Sequence, residues 1–162
     1  MKYPLFSPNI VFAVFVAIFA GILSAESLSP AALEGKKSYQ VCTACHNPEL
    51  DPPLAPPMFG VQRRYGMMYP DKQEFIQSVV SFVRHPAMDK AIMRRAVQKK
   101  GLMPAMDLPQ EQLTDIATYI YEESFALPCK HWEIAVKNAE VKGEVDGHIQ
   151  RDKMKLQKFC NK

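Results

Sequence analysis

Cys42 and Cys45 are separated by two residues and followed directly by His46. Closely spaced cysteines serve three kinds of chemistry: a redox-active dithiol, a zinc site, or thioether attachment of a haem. A zinc site needs about four ligands, usually supplied as two close pairs, and the remaining cysteines, Cys129 and Cys160, stand far apart. A thioredoxin-like dithiol is expected within a βαβ pattern, whereas the surrounding sequence reads as helix and turn. Neither of these two interpretations is well supported.

The order Cys-x-x-Cys-His meets the requirements of haem attachment residue by residue. Two thiols on one helical turn can reach the two vinyl groups of a porphyrin, and the adjacent histidine is then held beneath the iron. With 4 Cys and 4 His in 162 residues, chance would produce the motif only roughly 0.002 times per chain. The sequence therefore predicts one covalently attached haem c, bound through Cys42, Cys45 and His46.

A hexacoordinate haem iron needs a second axial ligand, from a loop that covers the opposite haem face. Met103 is the best candidate, because it follows Gly101, which ends a predicted helix, and precedes Pro104, which keeps the loop out of the next helix. Met106 and His85 remain alternatives. Thioether ligation would raise the reduction potential, and a second histidine would lower it.

The elements that must position these residues are all helical. Helices are predicted from Ser29 through Cys45, over 71–84, from about Met88 to Lys99 and over 109–124, with proline-containing extended loops over 47–57 and 102–109. The apolar residues expected to be buried are Ala32, Leu33, Tyr39 and Val41 in the first helix, Phe75, Ile76, Val79, Val80 and Val83 in the second, and Leu113, Ile116 and Ile120 in the last. We predict an all-α fold with four or five helices around the haem and a helical C-terminal extension.

The segments GKKSYQVCTACH, APPMFGV and GLMPAMDLPQEQLTDIATYIY resemble class I c-type cytochromes, the small single-haem periplasmic kind. The resemblance covers residues 31–127 and implies a cytochrome c fold with Met103 as the distal ligand. It also implies that the last helix crosses the first through a contact between Gly35 and Tyr119 or Tyr121. Finally, it implies that the carbonyl of Pro56 or Pro57 holds the second nitrogen of the axial histidine.

The N-terminus predicts export. Lys2 precedes an uncharged apolar run over 9–23, and small residues follow it, which is the pattern of a signal peptide cleaved after Ala25. An uncleaved membrane anchor is the alternative. The predicted organisation is a signal peptide over 1–25, a cytochrome c domain over 26–127 and an extension over 128–162, in the periplasm.

An oxidising compartment predicts a disulfide between Cys129 and Cys160. Pairing between molecules, or a metal site that includes His131, are the alternatives. Trp132, the only tryptophan of the chain, is expected to pack the extension onto the domain.

The net charge of the chain and the distribution of its basic residues indicate which partners it would bind. Removal of Lys2 with the signal peptide would leave 19 basic and 17 acidic residues, which gives no support for a nucleic-acid partner. The basic residues before Met103 predict a positive rim that would attract redox proteins with acidic docking surfaces; they are Arg94, Arg95, Lys99 and Lys100.

The function predicted from the sequence is electron transfer without enzymatic activity, because no nucleophile–base pair or phosphate-binding loop is recognisable. Two alternatives stay open. The chain could be the haem subunit of a larger periplasmic oxidoreductase, with the extension as its docking element. It could also be a haem sensor or enzyme with an open distal position.

Overall fold

The computed structural model describes residues 27–160, so the predicted signal peptide lies outside the described residues. These residues form helices and connecting loops without a β-strand, which confirms the all-α prediction. The helices are α1 (Pro30–Ser38), α2 (Gln40–His46), α3 (Met58–Met68), α4 (Lys72–Arg84), α5 (Arg94–Lys100), α6 (Gln110–Glu122), α7 (Cys129–Lys142) and α8 (Gly147–Lys155), followed by a π-helical turn over Leu156–Cys160.

The prediction of four or five helices in the domain was too low, since α1 to α6 all precede the extension. The predicted first helix is divided at Tyr39, where the Cys42 amide donates to the Tyr39 carbonyl in a tight turn. Helix α3 was not predicted, because it starts directly after the proline-rich loop. Helix α5 is shorter than predicted, and the chain forms turns before Arg94.

The core of the domain lies between α4 and α6. The predicted apolar stripes are confirmed: four of the five residues predicted in α4 and all three predicted in α6 are buried in one cluster, namely Phe75, Ile76, Val79, Val80, Leu113, Ile116 and Ile120. Val83 is partly buried and packs against the same cluster. The Asp71 carboxylate accepts a hydrogen bond from the Glu74 amide at 3.0 Å and so caps the start of α4.

Helices α1 and α6 pack backbone against backbone. A Cβ atom added at Gly35 would lie 1.9 Å from the carbonyl oxygen of Asp115, so only glycine allows this approach. Leu33 and Val41, predicted to be buried, are 49% and 44% exposed. The prediction failed for Leu33 because the side of α1 that packs on α6 carries only the small residues Ala32 and Gly35. Val41 belongs to α2, in which no residue is buried.

Of the two tyrosines expected where the last helix crosses the first, Tyr119 is the one that packs against an aromatic ring at this crossing. Its ring centroid lies 5.0 Å from that of Tyr39, with an edge-on geometry. Phe125 packs against both rings, at 5.7 Å from Tyr39 and 5.8 Å from Tyr119. Tyr121 instead contacts Phe75 of α4 at 5.2 Å, so the two tyrosines that the resemblance left open have separate partners.

Two polar side chains join helix ends that are distant in sequence. The Gln62 amide of α3 donates to the carbonyls of Ile120 and Glu123, which lack helical partners at the end of α6. The Glu122 carboxylate accepts from the Ser29 amide at 2.7 Å and from Lys72 Nζ at 2.6 Å. The C-terminal end of α6 is therefore tied to α3 and to the starts of α1 and α4.

The extension is closed by the predicted disulfide between Cys129 and Cys160. Trp132 is buried, as predicted, and its ring packs edge-on against Phe59 of α3 at 6.4 Å. Asn138 donates to the Asp51 carboxylate at 2.9 Å. The extension thus contacts both α3 and the proline-rich loop.

The disulfide gives a first testable prediction. It spans a sequence separation of 31 residues, and closing a loop of this size removes unfolded-state entropy worth about 3 to 4 kcal/mol. We expect the Cys129→Ser, Cys160→Ser protein to lose that much free energy of unfolding in urea titrations followed by Trp132 fluorescence. A reducing agent should lower the stability of the wild type and leave the double variant unchanged. Equal stability of the two proteins would contradict the prediction.

Candidate functional site

Helix α2 carries the Cys-x-x-Cys-His motif. It ends at His46 because Asn47, which precedes Pro48, adopts an extended conformation. Cys42 and Cys45 lie three positions apart, so both thiols fall on one side of a single helical turn. Both are free thiols. Cys42 is half-buried and packs against the core, whereas Cys45 is exposed.

The environment of Cys42 argues against a redox dithiol. Burial raises the pKa of the Cys42 thiol to about 11, whereas redox-active cysteines have a lowered pKa that favours the thiolate. The zinc interpretation is not supported either. Within residues 27–160, no three His, Cys, Asp or Glu side chains lie close enough together to hold a metal ion.

His46 is held by a backbone carbonyl. Its Nδ1 lies 2.6 Å from the carbonyl oxygen of Pro56. Since a carbonyl can only accept, Nδ1 carries the proton, and Nε2 keeps the lone pair with which a histidine binds a metal. Burial lowers the pKa of His46 by more than the Pro56 hydrogen bond raises it, so the imidazole is neutral at neutral pH.

The loop that contains Pro56 is anchored from two directions. The Lys100 ammonium group, at the end of α5, donates to the carbonyl of Pro53. On the extension, Asn138 donates to Asp51. Neither Lys100 nor Asn138 was predicted to contribute to this region, because their contacts join segments far apart in the chain and leave no local pattern.

Met103 lies on the loop between α5 and α6. Gly101 ends α5 with a φ of +83°, a conformation that favours glycine. The Met106 amide donates to the Val83 carbonyl at 3.0 Å, and Arg84 donates to the Leu108 carbonyl at 3.1 Å. Both bonds fix this loop against the end of α4.

The two candidate methionines differ in their surroundings. Met106 packs against the core cluster, whereas Met103 is half-buried and is not among the described residues that do so. The structure therefore brings Cys42, Cys45 and His46 together on α2 with Pro56 beside them, and Met103 is carried by a separate loop.

The other histidines have different environments. His85 is exposed at the end of α4. His148 Nδ1 lies 3.0 Å from the buried carboxylate of Asp152. His131 is buried in α7, and burial lowers its pKa to about 4. Its neighbour Cys129 is bonded to Cys160, which contradicts a metal site built from Cys129 and His131.

The donor set fits a covalently bound haem. Two free thiols share one helical turn, and the adjacent imidazole is neutral with Nε2 available. Large apolar side chains are exposed close in sequence to the candidate ligands, namely Val41, Leu54 and Leu102.

Comparisons of the chain with protein-family models, with curated proteins and with solved structures find no match. Among the helices of residues 27–160, none has the length and apolar character needed to cross a membrane. The functional interpretation therefore depends on the chemistry of the site.

Proposed function

We propose that this protein is a periplasmic electron carrier with the cytochrome c fold, in which one covalent haem c has His46 and Met103 as its axial ligands. The observation that supports this most strongly is the hydrogen bond from His46 Nδ1 to the Pro56 carbonyl, which leaves Nε2 free beside the two thiols of Cys42 and Cys45. Electron transfer of this kind needs no group of the chain to act on a substrate, so we propose no enzymatic activity.

When bound, the haem supplies an iron centre that accepts and returns one electron. The roles of the chain follow from its side chains. Cys42 and Cys45 hold the haem as thioethers, and His46 binds the iron through Nε2. The Pro56 carbonyl fixes the orientation of His46 and makes Nε2 a stronger donor. The Met103 thioether raises the reduction potential relative to a second histidine.

The four residues of the basic rim contribute unequally to the proposed recognition of acidic redox partners. Lys99 forms an ion pair with Asp146 at 2.7 Å, and Lys100 donates to the Pro53 carbonyl. Arg94 and Arg95 are exposed and have no ion pair within the described residues. Arg94, Arg95 and Lys100 therefore provide most of the positive field available for steering a partner, because the carbonyl that accepts from Lys100 is neutral and leaves its charge uncompensated.

A second candidate function is that of a haem subunit in a larger periplasmic oxidoreductase. It is favoured by apolar side chains on the extension, where Val141 is 81% and Val145 is 80% exposed. Co-purification of one stoichiometric partner from the native source would favour the subunit, and recovery of the protein alone would favour the free carrier.

The proposed function is tested by optical spectra of ferric and ferrous protein, purified from a host that matures c-type haem. We expect a weak ferric band at the red end of the spectrum, which reports the sulfur–iron bond. Met103→Ala should abolish this band, and Met106→Ala, the matched control, should retain it. Loss of the band in Met106→Ala alone would assign the ligand to Met106.

The same spectra test the alternative of an open distal position. If the wild type lacks the sulfur–iron band and its ferrous form binds carbon monoxide at once, the electron-carrier proposal is wrong. A haem sensor or enzyme would then be the better interpretation.

A further inference from the structure

A large open cleft, about 1620 Å³ in volume, lies between the domain and the extension. One side is formed by α3, α4 and residues 89–100, and the other by residues of the extension, including Arg151 and Lys155. We call it the extension cleft. Its lining contains nine Lys and Arg residues but only two acidic residues, Asp89 and Asp146. A concave surface of one charge sign focuses its field and attracts the opposite charge.

Most of this positive charge is unpaired. Asp146 is already bound to Lys99 at 2.7 Å. Seven of the cleft cations form no ion pair with any described residue, and they are Arg63, Arg64, Lys90, Arg94, Arg95, Lys100 and Arg151. Five of the seven are arginines, whose planar guanidinium groups bind carboxylates through two parallel hydrogen bonds. The cleft is therefore suited to a ligand with several carboxylates.

A buried polar atom in the cleft lining lacks a partner. His131 is only 8% exposed and lines the cleft, and its Nδ1 has no hydrogen-bond partner within the described residues. Buried polar side-chain atoms in native proteins are rarely left without a partner. The cleft wall therefore contains a buried imidazole whose capacity for hydrogen bonding is not used within the described residues.

The lining is also apolar. Met67 is 68% exposed and Met68 is 47% exposed, and both line the cleft together with Phe82, Ile92 and Met93. Flexible methionines adapt to the side chains of different peptides. The most exposed apolar side chains of the lining are Met67 and Met68. The aromatic residues of the lining are buried or half-buried and so less available for stacking with nucleic-acid bases, and they are Tyr65, Tyr69 and Phe82. The lining therefore favours a polypeptide.

We propose that the extension cleft binds an extended segment of a partner protein that carries both acidic and apolar side chains. Carboxylates of this segment would pair with arginines on both walls, and its apolar side chains would contact Met67 and Met68. The extension thereby becomes part of a partner-binding site. Arg94 and Arg95 belong both to this cleft and to the basic rim, so the proposal rests on the proposed recognition of acidic partners and extends it to Arg151 and the two methionines.

The test uses the full-length mature protein with its haem and disulfide. Fluorescence anisotropy at low salt measures binding of a short labelled peptide of alternating Glu and Leu. Arg94→Ala with Arg151→Ala removes one exposed arginine from each wall. Lys137→Ala with Lys142→Ala removes two exposed cations of α7 that do not line the cleft. Circular dichroism checks that both variants keep the wild-type fold.

We expect the arginine variant to bind the peptide at least about tenfold more weakly, and the lysine control to stay within about twofold of the wild type. A peptide of alternating Glu and Ser should bind more weakly than the Glu–Leu peptide, because it lacks the apolar contacts.

Three results would overturn the proposal. Equal weakening by the two double variants would show that binding reports only overall charge. Equal affinity for the Glu–Ser peptide would exclude the apolar contacts with Met67 and Met68. Tighter binding of a labelled oligothymidine of similar length, lost in the arginine variant, would assign the cleft to nucleic acid.

Discussion

Gly35→Ala is expected to destabilise the protein by about 3 kcal/mol or more, at the upper end of the range for overpacked sites. The new Cβ would lie 1.9 Å from the Asp115 carbonyl oxygen and 2.8 Å from the Ile116 nitrogen. Both atoms belong to the backbone of α6, so no side-chain rotation can relieve the overlap. Helices α1 and α6 would have to separate, and the packing of Tyr39 on Tyr119 would be disturbed with them.

Thermal unfolding followed by far-UV circular dichroism measures this effect, and we expect the melting temperature to fall by about 10 °C. Gly66→Ala is the matched control. Gly66 also lies within a helix, and a Cβ added there would meet no atom within 4 Å. Because alanine is the better helix former, this control should be neutral or stabilising by about 0.5 to 1 kcal/mol. A Gly35→Ala protein as stable as the Gly66→Ala protein would show that α1 and α6 do not pack as described.

The sequence was most informative where the relevant residues are close together in the chain. The apolar stripes of α4 and α6 repeat with the helical period, and the same residues, such as Phe75 and Ile116, form the core. The Cys42, Cys45 and His46 group needs only one helical turn to come together. The resemblance to c-type cytochromes narrowed the partner of His46 to Pro56 or Pro57, and the hydrogen bond is made by Pro56.

Features that depend on contacts between distant segments were missed or wrong. Leu33 is an apolar residue in a helix, but the approach of α1 to α6 is so close at Gly35 that only small residues fit between them. Helix α3 has few buried residues, so its apolar pattern is weak. The bond from Lys100 to Pro53 crosses 47 positions of the sequence. Such contacts can be recognised only in the tertiary structure, because the residues next to Lys100 and Pro53 in the sequence form no pattern that predicts a hydrogen bond.

For Met103, the sequence predicts the loop but not how its side chains pack. Its position after Gly101 and before Pro104 predicts a loop, and residues 101–109 are indeed outside the helices. The two methionines of this loop differ in packing, which sequence spacing could not indicate: Met106 contacts the core and its amide is bonded to Val83. Met103 as the iron ligand stays a prediction, which the spectra of the two methionine variants test.

The four cysteines allow the haem proposal to be tested with two matched double variants, one in the motif and one in the disulfide. Cys42→Ser with Cys45→Ser should abolish covalently bound haem completely, because thioether bonds survive denaturation and bonds between iron and His46 or Met103 do not. Cys129→Ser with Cys160→Ser should keep one covalent haem per chain, although this variant loses the disulfide of the extension. Both pairs remove two sulfur atoms, so a general effect of cysteine loss cannot produce the difference.

Haem staining after denaturing electrophoresis and the intact mass of each protein measure the outcome. The wild type and the extension variant should carry the mass of one haem, and the motif variant should carry none. Covalent haem in the motif variant would mean that another residue is the attachment point. If the wild type matures without haem but binds zinc, the interpretation of Cys42 and Cys45 as ligands of a zinc site would be favoured instead. Because Cys42, Cys45 and His46 lie within one short helix and both thiols are free, we expect one covalent haem in the wild type and in the extension variant and none in the motif variant.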